Sequence, residues 1–323
     1  MIREIAIEPE LIVEWSKKEY KREFKPYDLR NKYGIGSPTR MSRYPKKWRR
    51  IIGDLIADVE DPLQKKRIEE LAIALIENSM KRFGYIWDTK KSWYDNVQEE
   101  HNRLPFKAIL CRANFQAIEQ AISLQNFIDE VEEKLNLLAV SPGISPLRNS
   151  ENLVENIKPW LLHCKKILII DPFFDPNRKT FSEPLKKLIN DVLIHGGTES
   201  YPFLEIVRKH DAMAPSIEHL KSGFEDYIID DLPEEFEIFF TVLEEKQAGE
   251  KLHNRYILSE FGGVKMEPGF DVQDDPNGSE TYDINLLSEY QYALRWDQYY
   301  ISDDTFELKG AQLIITNKGI EEN

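Results

Sequence analysis

The sequence predicts an α/β fold, in which a mostly parallel mixed sheet is flanked by helices and follows a mainly helical N-terminal region. Three observations lead to this prediction. Apolar residues recur at helical spacing through much of the first 140 residues. Two prolines and a glycine within residues 141–146 then interrupt the pattern. Beyond them, short apolar runs alternate with helical segments, which is typical of strands joined by right-handed helical crossovers.

The interruption divides the chain into a mainly helical region at 1–145 and an α/β domain at 146–323. In the first region we expect a short strand over 2–7 and helices over 9–27, 45–59, 62–76, 90–101 and 115–138. In the second we expect helices over 153–162, 181–195, 215–229 and 286–297, and strands over 166–171, 203–207, 236–243, 255–258 and 312–316. The run at 166–171 is continuously apolar, as in a strand buried on both faces. Residues 318–323 are expected to fray.

Composition narrows the class of protein. Hydrophobic residues make up 41% of the chain and charged residues 31%, which is typical of a globular protein with an ordinary core. No apolar run approaches the roughly 18 residues that span a bilayer, so we expect no membrane partner. The first residues mix acids with apolar residues, unlike a signal peptide. Two cysteines, Cys111 and Cys164, are too few for a disulfide framework or a thiolate zinc site, and we expect a reduced, cytoplasmic protein.

Charge is distributed unevenly. The formal net charge is −14, but residues 17–50 contain thirteen Lys and Arg against three acids, a net +10 that leaves −24 elsewhere. Within this segment, bases are interleaved with Tyr44 and Trp48, an arrangement that favours phosphate contacts combined with ring stacking on nucleic acid. The predicted nucleic-acid-binding residues are Arg40, Arg43, Lys46, Lys47, Trp48, Arg49 and Arg50. The alternative is that Trp48 belongs to the core and the bases are solvated, or that they contact a partner protein.

The chemically most distinctive segment is His253-Asn254-Arg255, with Glu260 five residues after Arg255. Positions two apart share a face of a strand, so His253 and Arg255 are expected to point the same way at the start of the strand near 255. A histidine can attack phosphorus or carry a proton, and an arginine can clamp phosphate oxygens. Glu260 is expected to turn back and orient the ring.

The pattern His253-x-Arg255-(x)4-Glu260 resembles the HxK(x)4D signature of the phospholipase D-like phosphodiesterase superfamily, with Arg for Lys and Glu for Asp. The resemblance extends over about residues 150–310. It includes the strand ending Asp171-Pro-Phe-Phe-Asp175, the pair Gly262-Gly263, and Gly269-Phe270-Asp271.

The resemblance implies that His253 is the nucleophile of a phospho-histidine intermediate, that Arg255 binds phosphate and that Glu260 supports the site. It also implies a substrate-binding role for Asp171, Gly269 and Asp271, no metal or other cofactor, and nucleic acid as substrate. A microbial antiviral defence setting is expected by analogy.

The chain departs from the superfamily pattern in two ways. Glu267-Pro-Gly-Phe-Asp271 stands where GSxN is usual, and only one motif is present although the chemistry takes two. His163-Cys-Lys165 is not a second motif, because its acid, Asp171, is one residue too far. A homodimer with two facing His253 residues, or a subunit of a multi-protein complex, is therefore expected.

The sequence is also compatible with two alternatives. One is a catalytically degenerate subunit that binds nucleic acid or a partner protein. The other is a metal-dependent nuclease that uses Asp171 and Asp175, which bracket a strand end where α/β proteins place ligands. The acidic stretch 224–250 is expected to be a solvated face rather than a metal site.

Overall fold

The computed structural model describes residues 2–17, 39–77, 79–112, 118–123, 141–193, 201–275, 277–301 and 305–323. The chain forms two compact units, Met1–Ser141 and Pro142–Asn323. Within the described ranges, no helix is long and apolar enough to cross a membrane.

The first unit contains a four-stranded parallel sheet with the strand order β2-β1-β3-β4. Its strands are β1 (Arg3–Ile7), β2 (Thr39–Met41), β3 (Ala108–Cys111) and β4 (Ala121–Ser123). Its described helices are α1 (Pro9–Trp15), α2 (Trp48–Ala57), α3 (Pro62–Glu77) and α4 (Trp93–Arg103). Side chains from α1, α2 and α3 pack on one face of this sheet, around Trp15 and Trp48. The helices bury apolar stripes against the strands, as amphipathic helices do.

Helices outweigh strands among the described residues of the first unit, as predicted, but a four-stranded sheet was not expected there. Only β1 was predicted, because strands of three or four residues are too short to show a periodicity of two. β4 lies inside the helix predicted for 115–138, of which 115–117 and 124–138 lie outside the described residues. The helix predicted for 9–27 ends at Trp15, and the part of that span beyond residue 17 is also outside the described ranges.

The second unit is built on a ten-stranded mixed sheet. The strand order is β14-β13-β8-β7-β6-β9-β10-β11-β5, and β12 pairs with β8 beside β13. The strands are β5 (Gly143–Ile144), β6 (Lys166–Ile170), β7 (Phe203–Lys209), β8 (Ile238–Glu245), β9 (Tyr256–Ser259), β10 (Gly262–Glu267), β11 (Asp283–Leu286), β12 (Phe306–Leu308), β13 (Leu313–Thr316) and β14 (Gly319–Glu322). The helices are α5 (Ser150–Leu161), α6 (Lys179–Leu188), α7 (Ile217–Tyr227) and α8 (Glu289–Trp296), and π-helical turns at Ile189–Leu193 and Asp297–Ile301 extend α6 and α8.

Both faces of the central strands are covered, as the apolar run in β6 predicts. On one face, the ring of Phe174 packs against Phe181 of α6, Phe224 of α7 and Phe240 of β8. On the other, Leu168 and Ile170 of β6 join a buried cluster with Tyr299 and with half-buried rings of α8 and its extension. Burial on both faces is what allows parallel strands at the centre of a sheet.

The α/β fold and the mixed sheet are confirmed. Within the described part of the larger sheet, parallel pairing is confined to β6, β7 and β8. This is less than predicted, because hairpins such as β9–β10 add antiparallel strands. The predicted fraying of residues 318–323 is wrong, since β14 pairs with β13 in a terminal hairpin.

Candidate functional site

The carboxyl ends of β6, β7 and β8 meet at one edge of the sheet, here called the carboxyl edge. β9 runs antiparallel to β6, and Ile170 pairs with Tyr256. The residue after β6, Asp171, therefore lies beside the residue before β9, Arg255. The backbone N–H of Met266 donates to the carbonyl of Arg255 at 2.9 Å, which brings the end of β10 to the same edge. Ligands of open α/β sheets bind at this edge, where the strand order reverses.

Asp171 is the buried acid of this edge, with 1% of its surface exposed. Its Oδ1 accepts the backbone N–H of Phe173 at 2.9 Å, and its Oδ2 accepts that of Phe270 at 2.8 Å. Burial raises the pKa of Asp171 to about 6, although both hydrogen bonds and the charge of Arg255 favour its ionised form. Asp171 thus joins β6 to the loop after β10.

Gly269 and Asp271 lie in that loop. A Cβ atom on Gly269 would stand 2.6 Å from Asp171 Oδ2 and 3.0 Å from Asp271 Oδ1, so only glycine fits between the two carboxylates. Arg148 Nη2 donates to Asp271 Oδ2, and its Nε donates to the Asp271 carbonyl at 3.1 Å. The hydroxyl of Tyr282 donates to the same carbonyl at 2.9 Å. These contacts hold the loop in place.

Arg255 has the features of an anion ligand. Its Nε is buried without a hydrogen bond, and the side chain makes no hydrogen bond or close ion pair with a described residue. Its guanidinium carbon lies 5.0 Å from the centroid of the Phe173 ring, and Phe173 is 50% exposed. A buried polar group without a partner calls for a specific explanation, and a bound anion is one. An arginine with unfilled donors is the side chain best suited to phosphate.

His253 is exposed on the loop between β8 and β9. The residue before it, Leu252, is fully buried, and its backbone N–H donates to Glu245 Oε1 at 2.9 Å, which fixes the loop. The Nδ1 atom of His253 lies 3.3 Å from the carbonyl of Lys251. β9 begins only at Tyr256, so His253 and Arg255 precede this strand rather than lie within it.

Glu260 is not part of this arrangement. It lies in the turn between β9 and β10, where its carboxylate accepts the backbone N–H groups of Lys165 at 2.6 Å and Lys166 at 3.1 Å. At ~3.4 Å per residue, a five-residue separation places it roughly 17 Å along the strand from Arg255, at the opposite edge of the sheet. The prediction that Glu260 orients His253 is therefore wrong: Glu260 caps the start of β6.

The structure also places residues that the sequence did not single out. Arg148 is 123 positions from Asp271, and no local spacing could have linked them. Arg208, buried at 4% exposure, donates from Nη1 to the carbonyl of Phe174 at 2.8 Å. A basic residue near the end of an apolar parallel strand is a signal that could have drawn attention to it, because such ends meet at the carboxyl edge.

The contacts of Asp171 and Asp175 do not favour the metal hypothesis. Both oxygens of Asp171 accept backbone N–H groups, and Asp175 Oδ1 accepts the backbone N–H of Asn177 at 3.0 Å. Asp175 Oδ2 lies 3.7 Å from His219 Nε2. In the parts of the chain that the structure describes, no group of three or more His, Cys, Asp or Glu side chains is arranged to hold a metal ion.

The basic segment of the first unit is only partly a surface. Trp48 is buried, and its Nε1 donates to the carbonyl of Ile7 at 2.9 Å. Tyr44 is buried too, and its hydroxyl donates to the carbonyl of Asn96 at 2.8 Å. The predicted stacking of Trp48 on bases is therefore wrong, and the alternative of a core residue holds.

The bases of this segment differ in their contacts. Arg43 Nε donates to Ser79 Oγ at 2.6 Å, and Arg40 is half-buried in β2. The exposed members surround the start of α2: Lys46, Lys47, Arg49 and Arg50. A helix N-terminus carries partial positive charge, so these four bases add to a field that already attracts anions.

No protein-family model matches the chain, and no curated protein sequence matches it. Among solved structures, the chain is similar to phosphatidylserine synthase from Haemophilus influenzae Rd KW20, with 13% identity and a TM-score of 0.28 over 52% of this chain. That alignment spans 39% of the synthase chain. The chain is also similar to TrmBL2, an archaeal chromatin protein, with 10% identity and a TM-score of 0.27 over 94% of this chain and 100% of that one. TM-scores this low do not establish a common fold.

Proposed function

We propose that the second unit binds and cleaves phosphodiesters at the carboxyl edge, with nucleic acid as the substrate. The observation that carries the proposal is Arg255, whose partly buried guanidinium has no hydrogen-bonding partner among the described residues and faces the same edge as Asp171. Phe173 supports nucleic acid as the substrate class, since its half-exposed ring lies beside this cation and offers a surface on which a base can stack.

In this proposal His253 is the nucleophile. A proton on Nδ1 donated to the Lys251 carbonyl leaves the lone pair of Nε2 free for attack. Nε2 forms a bond to phosphorus while the bond to the leaving oxygen breaks, and a proton donor supplies the hydrogen of the departing alcohol. Water then attacks the phospho-histidine, which releases the phosphate monoester and restores the ring. Arg255 binds the non-bridging oxygens, whose charge grows in the transition state.

A second copy of the chain supplies the proton donor in this scheme. Among the described residues no carboxylate contacts His253, whose ring is positioned by the Lys251 carbonyl, and the acid for the leaving group must come from elsewhere. A homodimer that brings two His253 residues to one phosphate would provide both the nucleophile and the acid, as the single motif in the sequence predicts.

The test is cleavage of labelled single-stranded DNA and of bis(4-nitrophenyl) phosphate by the full chain in excess EDTA. We expect turnover that is abolished by His253→Ala and weakened, in kcat as well as in KM, by Arg255→Gln. Glu260→Gln is the matched control, since Glu260 lies at the opposite edge. Turnover that survives His253→Ala, or that requires Mg²⁺, would refute the proposal.

A second candidate is a subunit that binds nucleic acid without cleaving it. It is favoured by the position of Glu260, which leaves the motif without its carboxylate, and by the four exposed bases at the start of α2. Binding would then weaken steeply with salt and be reduced by combined Arg49→Gln and Arg50→Gln changes, with no turnover on either phosphodiester. Salt-dependent binding by the His253→Ala variant, together with an inactive wild type, would decide for this candidate.

A further inference from the structure

A cavity of about 520 Å³ lies within the second unit, on the face of β7 and β8 that packs against the extension of α8, and β12, which pairs with β8, borders it. It is lined by polar side chains of the sheet on one side and by aromatic rings on the other. The polar side chains include Glu205, Thr241 and Gln312, and the rings are those of Tyr299, Tyr300 and Phe306. Cavities of this size and mixed character are typical of small-molecule sites.

Glu205 is an acid in the interior of an apolar strand, between Leu204 and Ile206, with 9% of its surface exposed. Its Oε1 accepts hydrogen bonds from the hydroxyl of Thr241 at 2.5 Å and from Gln312 Nε2 at 3.2 Å. Gln312 Nε2 also lies 2.8 Å from Thr241 Oγ1, so the three side chains form one cluster. Burial raises the pKa of Glu205, while the two hydrogen bonds oppose the rise.

The other oxygen of Glu205, Oε2, accepts no hydrogen bond from a described residue, and it is not among the buried atoms that lack a partner. It therefore remains open to the cavity. A largely buried carboxylate is costly unless its oxygens are hydrogen-bonded, and a donor bound in the cavity would supply the partner that the protein does not give to Oε2. Nothing in the proposed chemistry at the carboxyl edge uses this acid.

The aromatic side of the cavity is formed by the α8 extension and β12. The rings of Tyr299 and Phe306 stack with centroids 5.5 Å apart and an angle of 19° between their planes. Tyr300 adds a third ring, but it packs against Trp296 at 4.7 Å and already has the ammonium of Lys166 4.0 Å from its centroid. Aromatic faces carry negative charge density and attract cations.

We propose that this cavity binds a small planar organic cation, which donates N–H groups of the amidinium or guanidinium type to Oε2 of Glu205 and packs against the rings of Tyr299 and Phe306. Among the described lining residues none is Lys, Arg or His, and Glu205 is the only acidic or basic side chain. An anionic ligand would meet a carboxylate without a compensating base. A neutral apolar ligand would leave that carboxylate desolvated.

This site is independent of the proposed phosphodiester chemistry. The site is formed by side chains of β7 and β8 together with Gln312. Its proposed ligand is a cation, whereas a phosphate is an anion. The two proposals can therefore fail separately, since binding here requires neither His253 nor Arg255.

The probe is benzamidine, titrated into the full chain and followed by calorimetry. Benzoate, which has the same ring and the opposite charge, and benzyl alcohol, which is neutral, are the matched ligands. We expect benzamidine to bind with Kd on the order of 1 mM or tighter, which corresponds to roughly −4 kcal/mol. Benzoate and benzyl alcohol are expected to bind at least about tenfold more weakly, because they lack the pair of cationic N–H donors.

The decisive variant is Glu205→Gln. The amide can keep its oxygen toward Thr241 and Gln312 and turn its NH2 group to the cavity, so the fold is expected to survive, with an unchanged or higher Tm. We expect this variant to lose at least about tenfold in benzamidine affinity, and the exposed control Glu237→Gln to bind as the wild type does. Equal binding of benzoate, undiminished binding by folded Glu205→Gln, or no benzamidine binding by the wild type would each overturn the proposal.

Discussion

The backbone N–H of Phe270 donates a 2.8 Å hydrogen bond to Asp171 Oδ2, and this contact joins two segments that are 99 residues apart. It fastens the loop after β10 to the end of β6. The same carboxylate accepts the N–H of Phe173 through its other oxygen. Asp171 therefore organises the carboxyl edge beside Arg255 through its acceptors, and its buried charge has a consequence for stability.

Asp171→Asn is expected to change the pH dependence of stability. Folding raises the pKa of Asp171 from 3.8 to about 6, so the folded state favours the protonated carboxyl. The free energy of unfolding is therefore highest, as far as Asp171 is concerned, below the unfolded pKa, and it falls as the pH rises through about 6. The variant lacks this loss. Its stability relative to wild type is expected to rise between pH 4 and pH 7 by up to ~3 kcal/mol, from a shift of about two pKa units.

Urea unfolding of both proteins across this pH range measures the difference. Asparagine places an NH2 group against one of the two N–H donors, which costs about 1–3 kcal/mol at every pH. The slope, rather than the absolute difference, is therefore diagnostic. A difference that stays constant from pH 4 to pH 7 would contradict the buried, titrating acid.

Gly269→Ala is expected to disturb the carboxyl edge. The new Cβ would lie 2.6 Å from Asp171 Oδ2, so the loop must shift, at a cost of about 1–3 kcal/mol, and phosphodiester binding should weaken with it. Gly53→Ala is the control, because nothing lies within 4 Å of a Cβ at that helical position. We expect it to raise stability by roughly 0.5–1 kcal/mol. Thermal unfolding of the two variants measures this contrast, and equal effects would contradict it.

Arg82 is expected to be essential for the first unit. Its side chain is fully buried and pairs with the carboxylates of Glu4 and Glu100, while its guanidinium carbon lies 3.9 Å from the centroid of Phe106. Arg82→Met would remove the buried cation that Glu4 and Glu100 share, at a cost of about 3–5 kcal/mol.

The control for this prediction is Arg103→Gln, because Arg103 contacts the same Glu100 but has 45% of its side chain exposed. Its loss is expected to cost about 0–1 kcal/mol. The free energies of unfolding in urea distinguish the two arginines, and a mild effect of Arg82→Met would show that the buried cluster is not required.

Glu260→Ala is expected to act on stability and not on chemistry. The change removes the acceptor of two backbone N–H groups at the start of β6, at a cost of about 1–3 kcal/mol. The cleavage rate per folded molecule should stay at the wild-type value. Measurements of Tm and of kcat on the same variant test this separation. A loss of kcat in fully folded Glu260→Ala would contradict it, because it would show that Glu260 takes part in the chemistry.

Sequence patterns predicted the larger elements of the second unit and the residues of the carboxyl edge, because long apolar runs and strand-end acids are local signals. They failed where contacts are remote. The hydrogen bond between Arg148 and Asp271 joins residues that are 123 positions apart. Glu260 lies far from His253 because β9 runs between them and carries the chain to the opposite edge of the sheet. Trp48 illustrates a different failure, since a ring among exposed bases looks alike in sequence whether it stacks on a ligand or fills the core.

The most direct test of the central claim is a single-turnover reaction of the full chain with labelled phosphodiester in EDTA, quenched in base and analysed for label bound to protein. We expect an acid-labile, base-stable adduct on His253, absent from the His253→Ala variant and reduced in Arg255→Gln. An adduct that persists in His253→Ala, or cleavage by the wild type with no adduct at any time, would contradict the assignment of His253 as the nucleophile.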